Sequence, residues 1–172
     1  MGDKGRATHS ASAVGPHANI TLREVTADNL VAVCKLSDTL TPLHRKMVAD
    51  NAFSIAEAHF CPKAWFRAIY ANEVAVGFLM LHDDPDKPEY FLWRLMIGGP
   101  YQKMGFGRRA LDLLIHYVQA RPGADELVAS CEEGEGSPLG FYRRLGFEPN
   151  GRRYDGELGL SVKLADWRGG SA

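Results

Sequence analysis

Residues 102–109 read Gln102-Lys103-Met104-Gly105-Phe106-Gly107-Arg108-Arg109 and separate a predicted strand from a predicted amphipathic helix. Glycine lets the backbone turn tightly and approach a ligand, and the free amides at the start of a helix carry a partial positive charge. Three basic side chains add formal charge at the same place. The pattern predicts an anion site that suits a pyrophosphate, while a plain turn before a solvated basic helix is the simpler alternative.

The segments that flank residues 102–109 alternate between strand and helix patterns. The strand before them runs from Tyr90 to Ile97 and is ended by Gly98-Gly99-Pro100. The helix after them has its apolar residues on one stripe and stops at Pro122-Gly123. Leu127 to Cys131 reads as a short buried strand, and Ser137-Pro138 opens a helix that ends at Arg144. Phe147 and the segment from Leu158 to Leu164 supply the closing strands.

The first half of the chain also predicts mixed secondary structure. Ile20 to Val25 reads as a strand, and a helix with apolar residues at 30, 33 and 34 follows it. A second, less regular segment contains a short helix capped by Ser54. Residues 65–70 and 74–82 then form a hairpin, and residues 83–88 form a loop. The whole order is β-α-α-β-β-β-α-β-α-β-β, which predicts an α/β fold with a mixed sheet.

Composition limits the classes of protein that fit. The chain has 172 residues, of which 45% are hydrophobic and 24% are charged, and its formal net charge is −1. These values predict one soluble domain over residues 20–165, with a flexible leader at 1–19 and a tail at 166–172. They disfavour nucleic acid and membranes as partners, and the spacing of the three cysteines and the histidines supports no metal site. The cytoplasm is the expected location.

Two motifs resemble those of the GNAT superfamily of N-acetyltransferases. Residues 102–107 resemble its Q/R-x-x-G-x-G/A signature between a strand and a helix. Residues 141–147, Phe-Tyr-Arg-Arg-Leu-Gly-Phe, resemble its second hallmark, an aromatic-Tyr-x-x-x-Gly-Phe stretch that ends a helix and enters a strand. The resemblance covers residues 20–164 and implies a mostly antiparallel central sheet flanked by helices. It also implies an acetyltransferase with acetyl-CoA as its co-substrate.

The resemblance assigns roles to particular positions. Tyr142 matches the residue that donates a proton to the leaving thiolate, a role that suits a phenol with an ordinary pKa near 10. The main-chain N–H of Ile97 would polarise the thioester carbonyl, on a strand that splays from its neighbour. The residues expected to bind acetyl-CoA are Leu95, Met96, Ile97, Gln102, Lys103, Met104, Gly105, Phe106, Gly107 and Arg108.

The acceptor and the general base are less clear from the sequence. The family often has Asn seven residues before the tyrosine, and this chain has Glu135 there. Acidic residues at 83–89 and 132–135 favour a cationic amine, and the layout resembles the bacterial spermine/spermidine acetyltransferases. An aminoglycoside-like antibiotic, a protein amine and a non-catalytic CoA sensor remain alternatives, and the family commonly forms homodimers. The residues expected to contact the acceptor are Glu57, Glu89, Trp93 and Glu132.

Overall fold

A seven-stranded sheet forms the centre of the molecule. The computed structural model describes residues 14–169. The strands are β1 (Ile20–Arg23), β2 (Ala64–Ala71), β3 (Val74–Asp84), β4 (Glu89–Ile97), β5 (Glu126–Cys131), β6 (Glu148–Tyr154) and β7 (Glu157–Lys163). They lie in the order β1-β2-β3-β4-β5-β7-β6, and over residues 14–169 the β4–β5 pair is the parallel one. The predicted mixed, mostly antiparallel α/β sheet is confirmed.

Five helices connect the strands, one more than predicted, because three helices and not two lie between β1 and β2. They are α1 (Leu30–Lys35), α2 (Pro42–Arg45), α3 (Asn51–His59), α4 (Phe106–Gln119) and α5 (Leu139–Arg144). Short 3₁₀ turns lie at Leu36–Thr39, Gly99–Tyr101 and Leu164–Asp166. The four-residue α2 begins with a proline in its first turn, and Thr41 Oγ1 accepts a hydrogen bond from the amide of His44. That cap explains why a helix forms in the segment that the sequence marks as irregular.

Helix α4 covers one face of the sheet. All the residues of its predicted apolar stripe are buried: Ala110, Leu111, Leu114, Ile115 and Val118. They belong to the larger core cluster, which also takes in buried residues of β3, β4, β5 and β7. The 3.6-residue repeat therefore places the start of α4 against the sheet at the end of β4, where the phosphate loop was predicted.

Helices α1 and α3 cover the opposite face. Val33 of α1 is fully buried and packs with Phe78 and Met80 of β3. Ile55 and Ala58 of α3 pack against the same smaller cluster. The sheet therefore separates α4 from α1 and α3.

Several predicted boundaries are wrong. Ser54 is the fourth residue of α3 and donates its hydroxyl to the Asp50 carbonyl, and Asp50 is the cap residue. Asp83 and Asp84 belong to β3 and are buried, where a loop was predicted. The first strand ends at Arg23 and not at Val25. The longer β3 has partners distant in sequence, because Tyr117, Arg121 and Lys63 contact Asp83 and Asp84.

The chain ends of the predicted domain also differ from expectation. Residues 1–13 and 170–172 of the predicted leader and tail lie outside the described residues. Within residues 14–19, Val14 packs on the larger core cluster and Ala18 is buried. Trp167 packs on the same cluster from the other end. The ordered domain therefore extends beyond residues 20–165 at both ends.

Candidate active site

Strands β4 and β5 separate after two paired positions. Phe91 pairs with Val128 and Leu92 with Ala129, and no further β4–β5 partners occur in the described chain. Trp93 is the bulged residue of β4, because β3 pairs Leu81 with Leu92 and Met80 with Arg94. A bulge bends and twists its strand, so β4 turns away from β5 beyond this point. The predicted splay is present.

The backbone of β4 faces the resulting gap. Ile97 opposes Gly77 of β3, and the amide of Gly98 donates to the Val76 carbonyl at 2.8 Å. In an antiparallel ladder this places Ile97 in a non-hydrogen-bonded pair, so its own N–H and C=O point away from β3. The two-residue repeat gives Leu95 the same orientation. The N–H and C=O groups of both residues therefore point toward the gap between β4 and β5.

The glycine loop follows directly from β4. Gly105 is the residue before α4 and has φ of 76°, a left-handed conformation that favours glycine. A β-carbon at Gly105 would meet nothing within 4 Å, so this face of the loop is open. Gln102 donates its side-chain amide to the Ile97 carbonyl at 3.1 Å and ties the loop to the strand. The first amides of α4 are thus held at the edge of the gap.

A cleft of about 760 Å³ joins the gap to the loop. Its lining includes nearly all of the residues predicted to bind acetyl-CoA: Leu95, Met96, Ile97, Gln102, Lys103, Gly105, Phe106, Gly107 and Arg108. Met104 is the exception, and it packs against the larger core cluster. The far wall comes from α2 and from residues 136–145 around α5.

Tyr142 reaches this cleft from α5. Its ring packs edge-on against Phe141 and Phe147, with centroids 5.3 Å away in both cases. The side chain is buried, and burial raises the pKa of its phenol well above the usual value, with smaller contributions from Cys131 and Glu157. No hydrogen bond within residues 14–169 engages the hydroxyl. The phenol therefore keeps its proton at neutral pH.

Two neighbouring arginines of α4 have different surroundings. Arg109 donates to the carbonyls of Ala18 and Pro16 at 2.7 and 2.6 Å, so it fastens the segment before β1. Arg108 lines the cleft, and its Nε is buried without a hydrogen-bond partner in the described chain. A buried donor of a charged group without an acceptor is costly. Arg108 is therefore the arginine that suits an anionic ligand.

The acidic residues predicted to contact the acceptor do not line the cleft. Glu57 of α3 pairs with Arg94 at 2.8 Å. Glu89 begins β4, about 27 Å of extended strand from Ile97. Glu132 is exposed on the loop whose Gly136 and Ser137 form part of the wall. Trp93 packs against the smaller core cluster. Among the described residues, the lining of the cleft contains no Asp or Glu.

The acidic group at residues 83–86 has structural partners instead. Asp83 accepts hydrogen bonds from Tyr117 at 2.6 Å and Arg121 at 3.0 Å. Asp84 pairs with Lys63 at 2.9 Å, which lowers the pKa of its carboxyl. These contacts lie at the end of β3 remote from the cleft. Asp83 and Asp84 are therefore not available to an acceptor that reacts at the gap.

The sequence interpretation missed the contribution of α2. His44 lines the cleft, and its Nδ1 is buried without a partner among the described residues. Leu40, Met47 and Val48 line the same wall. Leu43 touches Gly136 so closely that a β-carbon there would lie 2.6 Å from its Cγ. The Thr41-Pro42 start of α2 was the only available signal, and it says nothing about which wall this helix forms.

The buried thiol near Tyr142 does not suit a covalent mechanism. Cys131 is buried at the end of β5, and burial raises the pKa of its thiol, while Ser137 lowers it to a lesser extent. A raised pKa reduces the thiolate fraction, and the thiolate is the nucleophile. The thiolate fraction of Cys131 at neutral pH is therefore low.

A sequence profile of the acetyltransferase (GNAT) family matches residues 28–147. The chain belongs to the GNAT family. It is an acetyl-CoA-dependent acetyltransferase with acetyl-CoA as co-substrate, and the orphaned Arg108 donor, the loop amides and the open β4 edge fit that molecule. Within residues 14–169 no helix is long and apolar enough to cross a membrane.

Solved GNAT structures share the fold at low sequence identity. The ribosomal-protein-S18-alanine N-acetyltransferase of Escherichia coli is 15% identical, with a TM-score of 0.64 over 85% of this chain and 94% of that one. The PaiA N-acetyltransferase of Thermoplasma acidophilum, in complex with coenzyme A, is 16% identical, with a TM-score of 0.62 over 84% and 99%. An acetyltransferase of Thermus thermophilus is 19% identical, with a TM-score of 0.63 over 84% and 96%.

Proposed function

We propose that this GNAT enzyme acetylates a primary amine by direct attack, with Tyr142 as the general acid. The observation that carries the proposal is the Tyr142 hydroxyl, which is protonated, unbonded within the described residues and placed in the cleft that the β4 edge opens. Acetyl-CoA supplies an activated thioester when it is bound. The N–H of Ile97 then polarises the carbonyl, and the loop amides with Arg108 hold the pyrophosphate.

The proposed acetyl transfer involves two proton transfers, and Tyr142 takes part in one of them. The amine nitrogen bonds to the acetyl carbon as the carbon–sulfur bond breaks, and Tyr142 gives its proton to the departing sulfur. The amine loses a proton in the same reaction. Because the described lining of the cleft holds no carboxylate, that proton passes to water or to His44, the imidazole on the α2 wall.

A polyamine is the first candidate acceptor. The cleft accepts one uncharged amine beside its apolar wall, and a second ammonium group of the same molecule would rest outside it. Glu132 and Glu135 are exposed on the loop that leads into Gly136 and Ser137 at the wall. Carboxylates at the entrance raise the local concentration of a polycation without charging the reaction site.

A peptide α-amine is the second candidate. The lining without Asp or Glu favours it, because a peptide amine brings one cation and needs no second carboxylate. The homodimer and the cytoplasmic location stay predictions from the sequence.

The test is release of CoA thiol from acetyl-CoA across spermidine, a small diamine, a monoamine, an aminoglycoside and a short peptide with a free N-terminus. Spermidine-dependent release that weakens through KM in a Glu132→Gln, Glu135→Gln double variant supports the polyamine. Glu133→Gln is the matched control, because Glu133 pairs with Arg153 at 2.8 Å. Release with the peptide alone supports the second candidate, and no release with any amine contradicts the proposal.

A further inference from the structure

A second, smaller cavity of about 230 Å³ lies beside the cleft. The two share Arg108, Arg144 and Leu145, so they adjoin each other. The remaining wall of the smaller cavity comes from Gly146 and from Asp166, Trp167 and Arg168 near the chain's C-terminal end. Sequence analysis placed these last residues in a tail without a role.

The cavity is rich in unpaired positive charge. Arg108, Arg144 and Arg168 line it, and none of the three forms an ion pair within 4.0 Å in the part of the chain that the structure describes. Arg108 Nε is also buried without a hydrogen-bond partner. Asp166 is the single carboxylate of the wall. Guanidinium groups in this number bind phosphate through paired, charge-assisted hydrogen bonds.

Specific contacts hold the C-terminal segment in position. Trp167 donates its indole N–H to Asp112 of α4 at 3.0 Å. Gln119 at the end of α4 donates to the Leu164 carbonyl at 3.1 Å. Arg168 follows directly and is therefore presented to the cavity by an anchored backbone. Residues 164–168 lie beyond the 28–147 span of the family match.

We propose that the smaller cavity binds the 3′-phosphate of coenzyme A. A phosphate monoester carries about −1.5 to −2 charges at pH 7, which matches three arginines opposed by one carboxylate. Arg108 borders both cavities and so connects this subsite to the loop that holds the pyrophosphate. The inference rests on the proposed binding of acetyl-CoA in the cleft.

The experiment compares CoA with 3′-dephospho-CoA by isothermal titration calorimetry of the full chain. The wild type should bind CoA roughly 10-fold or more tightly, as expected for charge-assisted hydrogen bonds to one phosphate. Arg168→Ala should reduce that ratio to about 3-fold or less and leave the affinity for dephospho-CoA nearly unchanged. Arg144→Ala should reduce the ratio as well, although Arg144 also lines the main cleft. Asp166→Asn should raise the ratio, because it removes the opposing charge.

Arg143→Ala is the matched control. Arg143 adjoins Arg144 on α5, is exposed and lines neither cavity, so its loss changes net charge equally and should preserve the ratio. Equal wild-type affinity for the two ligands would overturn the subsite and leave the proposed function standing. If Arg143→Ala reduced the affinity ratio as much as Arg144→Ala, the subsite would also be overturned, because general electrostatic attraction would then explain the preference for CoA. Failure of both ligands to bind would overturn the proposed function as well. Melting temperatures confirm that each variant folds.

Discussion

Replacement of Tyr142 by phenylalanine removes one oxygen atom from the cleft and changes nothing else in the packing. The ring contacts with Phe141 and Phe147 depend on the aromatic ring, which the variant keeps. The hydroxyl makes no hydrogen bond within residues 14–169, so its removal leaves no described group without a partner. We therefore expect a free energy of unfolding equal to or slightly above that of the wild type.

The expected effect is on the chemical step. Loss of a positioned general acid lowers kcat by about 10²- to 10⁴-fold, which corresponds to roughly 3 to 5 kcal/mol of transition-state stabilisation. The affinity for CoA should stay within about twofold, because the hydroxyl acts only as the carbon–sulfur bond breaks. The raised pKa of Tyr142 keeps its proton in place, so the wild-type rate should show no decline between pH 7 and about 9 from loss of this acid.

The assay measures initial rates of thiol release at saturating acetyl-CoA with the best acceptor found in the panel. Tyr101→Phe is the matched control, because Tyr101 also lines the cleft but lies on the loop side and has no assigned proton. A Tyr142→Phe variant with kcat within about threefold of wild type would refute the acid role. An equal loss of kcat in both variants would assign the effect to the cleft's shape rather than to proton transfer.

Three further outcomes follow from the geometry of the fold. Gly105→Ala should lower the free energy of unfolding in urea by about 1–2 kcal/mol, because φ is positive at this position. Gly156→Ala, where φ is 93°, should lower it by a similar amount. Of the two variants, Gly105→Ala alone should weaken CoA binding in titration. Asp83→Asn should lower the free energy of unfolding by about 1–3 kcal/mol through weakened bonds to Tyr117 and Arg121, and unchanged kcat would confirm that this cluster lies outside the site. The pKa of the Tyr117 phenol is raised to about 12. Its protonated form therefore contributes fully to the free energy of unfolding below pH 10, and this contribution is lost as the pH rises through 12. Tyr117→Phe should flatten that decline in alkaline unfolding curves.

Local patterns predicted the parts of the site that depend on neighbouring residues. The glycine loop, the apolar stripe of α4 and the position of Tyr142 on α5 each depend on residues close in sequence, and all three are present. The Ser137 hydroxyl accepts a hydrogen bond from the amide of Leu139, the first residue of α5, but Pro138 and not the predicted Ser137 is the cap residue. Backbone geometry and helix periodicity operate over a few residues, which is why the sequence was sufficient here.

Interactions between distant residues could not be predicted in this way. Asp83 and Asp84 read as a polar loop, yet Tyr117, Arg121 and Lys63 give them partners that allow β3 to continue and bury them. Because Asp83 and Asp84 are engaged in these contacts, they no longer support the prediction of a cationic acceptor. No spacing rule pairs residues more than 20 positions apart in the chain.

The open edge of β4 explains how a cofactor site persists while sequences diverge. In the proposed binding mode the ligand contacts the N–H and C=O groups of Leu95 and Ile97, and every residue except proline supplies the same two groups. Their side chains pack instead toward the α4 face of the sheet. Substitution in this strand is therefore constrained by core volume and not by the chemistry of the thioester. Drift in β4 can alter the packing around the acceptor without deleting any contact to the co-substrate.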